Sequence, residues 1–214
     1  EITQMAITKV TSEVLEDALT VSTINGVGIS TFGTGSFLLS NDGGTGTIDA
    51  ANYNVGFGFE VFDDLTSGDE NTAIGRVALT KLTTGSFNNA IGSQSLDANT
   101  TGSNNIGIGY QALSANTTAS NNTGIGHQAL ADNTTGDENN AIGGGALGNN
   151  TTGVDNDAQG YHALFDNTTG SNNVAMGNRA LATNTTADNN TGIGYYALKA
   201  NTTGTFNTAV GSGA

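Results

Sequence analysis

The chain of 214 residues has no cysteine, no proline and no tryptophan. Without cysteine there is no disulfide, no thiolate metal site and no cysteine nucleophile, and nothing marks the redox compartment. Basic residues are scarce: Lys9, Arg76, Lys81, Arg179 and Lys199 face 19 acidic residues, for a net charge of −14. That balance gives no electrostatic footprint for nucleic acid or an anionic lipid surface. Long apolar runs are also missing, so no membrane insertion is expected. The start at Glu1, with neither Met nor a signal-like apolar stretch, suggests a processed or truncated piece.

What the chain has in abundance is Gly, Thr and Asn, at 32, 33 and 28 residues. A random chain of such composition would lie near the edge of disorder. This chain is not random. Asn-Thr-Thr begins at Asn99, Asn116, Asn133, Asn150, Asn167, Asn184 and Asn201, always 17 residues apart and without insertion. In the same register an apolar-Gly pair places Ile74, Ile91, Ile108, Ile125, Ile142, Met176 and Ile193 in one series, broken by Gln159, with Phe57 as a worn first copy and Val210 as the last. A second series is Leu79, Leu96, Leu113, Leu130, Leu147, Leu164, Leu181 and Leu198. A third keeps Asn from Asn71 to Asn207.

A helical repeat needs about 33 residues or more, and Gly, Thr and Asn at this density oppose helix. Seventeen residues suit one coil of a parallel β-solenoid or β-roll. The x-A-I-G and x-A-L runs are then expected as strands, with N-T-T-G and the Gly after Ile as turns. Each coil offers only one Ile, one Leu and one or two Ala, a thin interior. Three chains sharing a core would relieve this, so a homotrimer is expected, with the Ile and Leu series as its core ladders. Because Ile follows Ala or Gly by one residue, the two point to opposite faces of a strand. The sequence leaves open which faces the axis.

The unit Asn71-Thr72-Ala73-Ile74-Gly75-Arg76-Val77-Ala78-Leu79 resembles the head repeats of trimeric autotransporter adhesins, which recur in bacteriophage tail fibres. The resemblance covers about three-quarters of the chain. It implies a left-handed parallel β-roll trimer working in adhesion at a cell or virion surface. The unit is longer than usual for adhesin heads, and the extra N-T-T-G turn is more similar to the phage-fibre version. The adhesin's coiled-coil stalk and membrane anchor are missing from this sequence.

Residues 1–50 differ in composition and are expected to form an N-terminal attachment or connector segment, followed by the repeat shaft at 51–214. Thr11 to Leu19 is expected as a short helix, with Val10, Val14, Ala18 and Leu19 as its apolar stripe, or alternatively as an extended segment. Asn25-Gly26 signals a two-residue hairpin, and Phe37-Leu38-Leu39 continues a small β element. Segments such as Ile7-Thr8-Lys9-Val10 look like the amino-terminal parts of phage tail-fibre proteins, which implies contact with other virion tail proteins. The last repeat stops after Val210-Gly211, before its Ala-Leu, so the natural polypeptide is expected to continue.

No catalytic constellation emerges, and no metal or other cofactor is expected. His127 and His162 are 35 residues apart, two coils apart at adjacent register positions, and read as isolated surface side chains. Acidic pairs such as Asp137-Glu138 match no calcium loop. The Asn-Thr-Thr sequons read as turns, since their lockstep with the period needs no glycan. The most suggestive positions precede Ala-Leu: Tyr110, His127, Tyr161 and Tyr195 recur up one rod face, a candidate surface-binding ladder for host glycan. Exposed strand positions that favour Tyr would give the same pattern.

The sequence therefore leads to an all-β fibre segment of a phage-type tail fibre, extracellular on a virion tail and without enzymatic activity. The alternative is a bacterial surface adhesin head. Ice binding through regular Thr ladders is a third reading, weakened because N-T-T-G reads as a corner.

Overall fold

The computed structural model describes residues 51–214 throughout and, before them, the strands β1 (Thr23–Ile24), β2 (Val27–Ser30) and β3 (Phe37–Ser40). β1 and β2 pair antiparallel, with Ile24 opposite Val27, as the Asn-Gly hairpin requires. β2 and β3 also run antiparallel. The stripe expected as a helix at residues 11–19 lies outside the described residues.

From β3 onward every pairing is parallel. β4 (Val55–Phe57) is followed by β5 (Thr72–Ile74), β6 (Asn89–Ile91), β7 (Ile106–Ile108), β8 (Thr123–Ile125), β9 (Asn140–Ile142), β10 (Asp157–Gln159), β11 (Val174–Met176), β12 (Thr191–Ile193) and β13 (Thr208–Val210). Each pairs with the next in register, Ala73 with Ala90 and Ile74 with Ile91. The repeat is thus an all-β parallel solenoid of 17-residue coils. At about 4.8 Å per step, the stack from β4 to β13 is roughly 43 Å long.

Only three residues per coil are strand, yet hydrogen bonds join the coils well beyond it. Leu96 N–H donates to the Ala112 carbonyl at 3.0 Å, Thr100 N–H to Thr117 at 2.8 Å, and Gln94 N–H back to Arg76 at 2.9 Å. The x-A-L run, expected as a strand, is instead a curl. Ala78 and Leu79 are both fully buried, which consecutive strand residues in a coil wall with one inner face would not be, because they point to opposite faces. The chain solves this with left-handed backbone at Val77 and Leu79, at φ 54° and 49°. The Leu series holds φ between 48° and 55° in every coil, a conformation costing each residue roughly 1–2 kcal/mol that burial of its side chain offsets. The Gly after Ile is required by stacking: a Cβ on Gly75, at φ 134°, would stand 2.5 Å from the carbonyl oxygen of Gly92 in the next coil.

Of the two apolar ladders, Leu lines the interior of the coil. Leu79, Leu96, Leu113, Leu130, Leu147, Leu164 and Leu181 are fully buried, with Leu198 packed partly against them. The Ile ladder points out of the coil: Ile74, Ile91, Ile108, Ile142 and Ile193 are 36–41% exposed, and Ile125 and Met176 are half-buried. The reason is space. The inward strand position is Ala or Gly because the Leu of the preceding coil fills the interior there, so that a Cβ on Gly124 would already touch Leu113 at 3.2 Å. Gln159 shares the outward direction and is exposed, with its amide donating to Asp157 at 3.3 Å.

The rest of the interior is amide. Asn105 donates its backbone N–H and its side-chain N–H to the Asn88 Oδ1, at 3.0 and 3.1 Å, and donates again to the Ala119 carbonyl at 2.8 Å. A second buried ladder begins each N-T-T-G turn. Asn133 donates to the Asn116 Oδ1 at 3.0 Å and closes its own turn on the Gly136 carbonyl at 2.9 Å. Satisfied amides can be buried at little cost, so two Asn ladders fill the space that aliphatic residues do not. A single chain therefore closes its own core.

Candidate functional site

The candidate surface ladder follows the glycine turn after each outward Ile. Tyr110, Tyr161 and Tyr195 are 45–53% exposed, and His127 is exposed beside them. The Tyr110 and His127 rings approach to 5.5 Å at a 31° tilt, one coil apart. The next register position adds a line of amides: Gln128 donates to the Gln111 Oε1 at 3.0 Å, and Gln111 to that of Gln94 at 3.4 Å. Here the left-handed backbone of Gln94, Gln111 and Gln128, at φ 55–60°, turns neighbouring side chains onto one surface. Planar polar groups thus line a rigid face.

His162 is not isolated as expected. It stacks between Tyr161, with centroids 4.0 Å apart at 11°, and Phe165, at 4.3 Å and 15°. Burial against these rings, with the nearby Arg179 guanidinium, pushes its imidazole below the ordinary histidine range. Toward the end of the repeat, Tyr195 and Tyr196 lie 4.1 Å apart, and the Lys199 ammonium sits 4.4 Å above the Tyr196 ring.

This face is interrupted in one coil. At its two ladder positions it has Gly144 and Gly145, and Gly148 stands where the adjacent coils carry Ala131 and Phe165. Beside Gly148 is a cavity of about 100 Å³ lined by Gln128, Ala131, Asp132, Asn149 and Phe165. Phe165 and the bare coil are the features sequence reading missed; a coil with glycine at three otherwise occupied positions was the available signal.

Elsewhere, Glu138 meets Asp155 of the next coil, whose hydrogen bond and negative charge hold its carboxyl above the usual range. Among the described residues, no three His, Cys, Asp or Glu side chains gather closely enough for a metal ion, and no helix is long and apolar enough to cross a membrane. The outer threonines bind the next coil's backbone, as Thr100 Oγ1 donates to the Thr117 carbonyl at 3.0 Å. Asn99, Asn116 and Asn133 of the sequons are fully buried.

Comparison with protein family models, with characterised proteins and with solved structures gives no match for this chain.

Proposed function

We propose that the chain is a structural fibre segment of the kind that builds the shaft of a phage-type tail fibre, packed as a parallel homotrimer and contributing to attachment at a host surface. The observation that carries this reading is the outward Ile ladder. Ile74, Ile91, Ile108, Ile142 and Ile193 stand 36–41% exposed in one line along the rod. An exposed aliphatic stripe of this length, broken at Gln159, marks a protein contact, and identical stripes on identical rods match one another level by level in a closed ring. Rigidity follows from the same repetition, because each coil is hydrogen-bonded to the next along most of its backbone.

Light scattering on size-separated protein tests the assembly, with electron microscopy for rod length. The expected result is a mass three times that of the chain, and separation into folded single chains when Ile108 and Ile125 are both replaced by Asp. A folded monomer at all concentrations would overturn the reading.

A further inference from the structure

The interrupted coil is more than a gap in the aromatic ladder. Where adjacent coils place Gln128 and His162, it has Gly145, and where they place Ala131 and Phe165, it has Gly148. The missing side chains bring the His162 and Phe165 rings down over bare backbone: a Cβ on Gly145 would stand 2.6 Å from the His162 ring, and one on Gly148 2.9 Å from that of Phe165. His162 covers one face of Phe165, and Phe165 itself lines the cavity of about 100 Å³, opposite Gln128 and Asp132. A polar cavity of that size holds about three waters by liquid volume, which a ligand carrying hydroxyls can replace bond for bond.

The lining selects the ligand. Gln128 already donates to Gln111, and Asn149 donates to Asp166 at 3.3 Å, so both amides retain carbonyl oxygens as acceptors. With the Asp132 carboxylate these make an acceptor-rich wall, which suits hydroxyl donors and repels anions. A hydrocarbon would strip water from Asp132 without replacing it. The Phe165 ring offers a negative π-face to polarised C–H bonds. Hydroxyl donors on one edge and a C–H face on the other describe a neutral pyranose ring.

We propose that the cavity beside Gly148, walled by Gln128, Asp132, Asn149 and Phe165, is a binding site for one neutral pyranose unit of a glycan. This rests on the attachment half of the function proposed above and is independent of the shaft half. Specificity comes from position: in a rod of near-identical coils, Gly148 replaces the Ala131 and Phe165 of its neighbours, and the cavity lies beside it. The aromatic stack Tyr161–His162–Phe165 keeps one wall of that cavity rigid, so little ordering is needed on binding.

The test is saturation-transfer NMR on the whole 214-residue chain with methyl glycosides of glucose, galactose, mannose and N-acetylglucosamine, with methylammonium as a cation control. At least one pyranoside is expected to bind, at about millimolar strength as befits one ring in a shallow site. Asp132→Ala, which removes a charged acceptor, and Ala131→Leu, which adds bulk to the cavity wall, should each weaken it about tenfold or more. Phe87→Ala, which removes an exposed ring outside the cavity, should leave it unchanged. Unaltered melting temperatures confirm that the variants fold, and light scattering on the same samples reads the shaft assembly separately. Binding of methylammonium but no pyranoside, no binding at all, or binding indifferent to Ala131→Leu would overturn the proposal.

Discussion

The Leu and Ile ladders have the same period, similar size and nearly equal hydrophobicity, yet one is sealed inside the coil and the other lies on its surface. Leu113 is fully buried and Ile108, five residues earlier, is 36% exposed. Their backbones explain the contrast. Ile108 ends a three-residue strand, so its direction follows alternation from the inward Gly107. Leu113 sits in left-handed backbone at φ 55°, which turns it inward directly after an equally buried Ala112. Periodicity states that a residue will stack on its copies. It does not state on which side.

The largest expected effect separates the two ladders directly. Leu113→Ala leaves a cavity in the sealed interior and should cost about 2–5 kcal/mol, whereas Ile108→Ala in a single chain should cost less than about 1 kcal/mol. Thermal denaturation over a range of protein concentrations sharpens this further. If the Ile face is packed between chains, Ile108→Ala should lower the melting temperature most at low concentration, as linkage to assembly demands. Equal losses for both variants at every concentration would break the comparison.

Next comes the amide half of the interior. Asn122 accepts from the Asn139 backbone N–H at 2.9 Å and donates to the Gly136 carbonyl at 2.9 Å. Asn122→Ala strands both buried groups and should cost about 2 kcal/mol, read by denaturant unfolding. Thr118→Ala, at an exposed position of the same coil, should change little.

Two ionisable sites should tilt stability with pH in opposite directions. Asp155 and its charge raise the carboxyl of Glu138, so that contribution is full below the ordinary value of 4.5 and is lost as pH rises through the raised value. Burial lowers His162, so its contribution is full above 6.5 and is lost as pH falls toward the lowered value. Melting temperatures should therefore respond to Glu138→Gln on the acidic side and to His162→Gln between neutral and mildly acidic pH. The smallest effect expected is at Asp97, where burial raises the carboxyl and its Oδ1 has no hydrogen-bond partner. Asp97→Asn should stabilise the rod by about 0.5 kcal/mol, given screening of a half-exposed group, visible as a small rise in melting temperature.

Much of the candidate face was legible in the residues. Tyr110, His127, Tyr161 and Tyr195 fall in one exposed line because a 17-residue step returns each to the same place in the coil. The stack of His162 on Phe165 was not legible. The two are three residues apart, in a segment that reads as strand but curls, and only the left-handed φ of 54° at His162 brings the rings together. The cavity likewise depends on which neighbouring rings fold down over Gly145 and Gly148.

By itself the sequence determined the period, the solenoid class and the in-register stacking, because an uninterrupted repeat lets every coil meet an identical neighbour in only one way. It also determined where turns fall, since Asn-Thr-Thr and the Gly after Ile recur at the fixed period, and Gly accepts the left-handed backbone a turn needs. Tertiary structure decided what lies inside. Ile and Leu differ little in transfer free energy, and Asn reads as a surface residue until its partners one coil away are known. Only the closed coil, with room for one Leu and two amide ladders, turned Leu and Asn inward and left Ile to the surface.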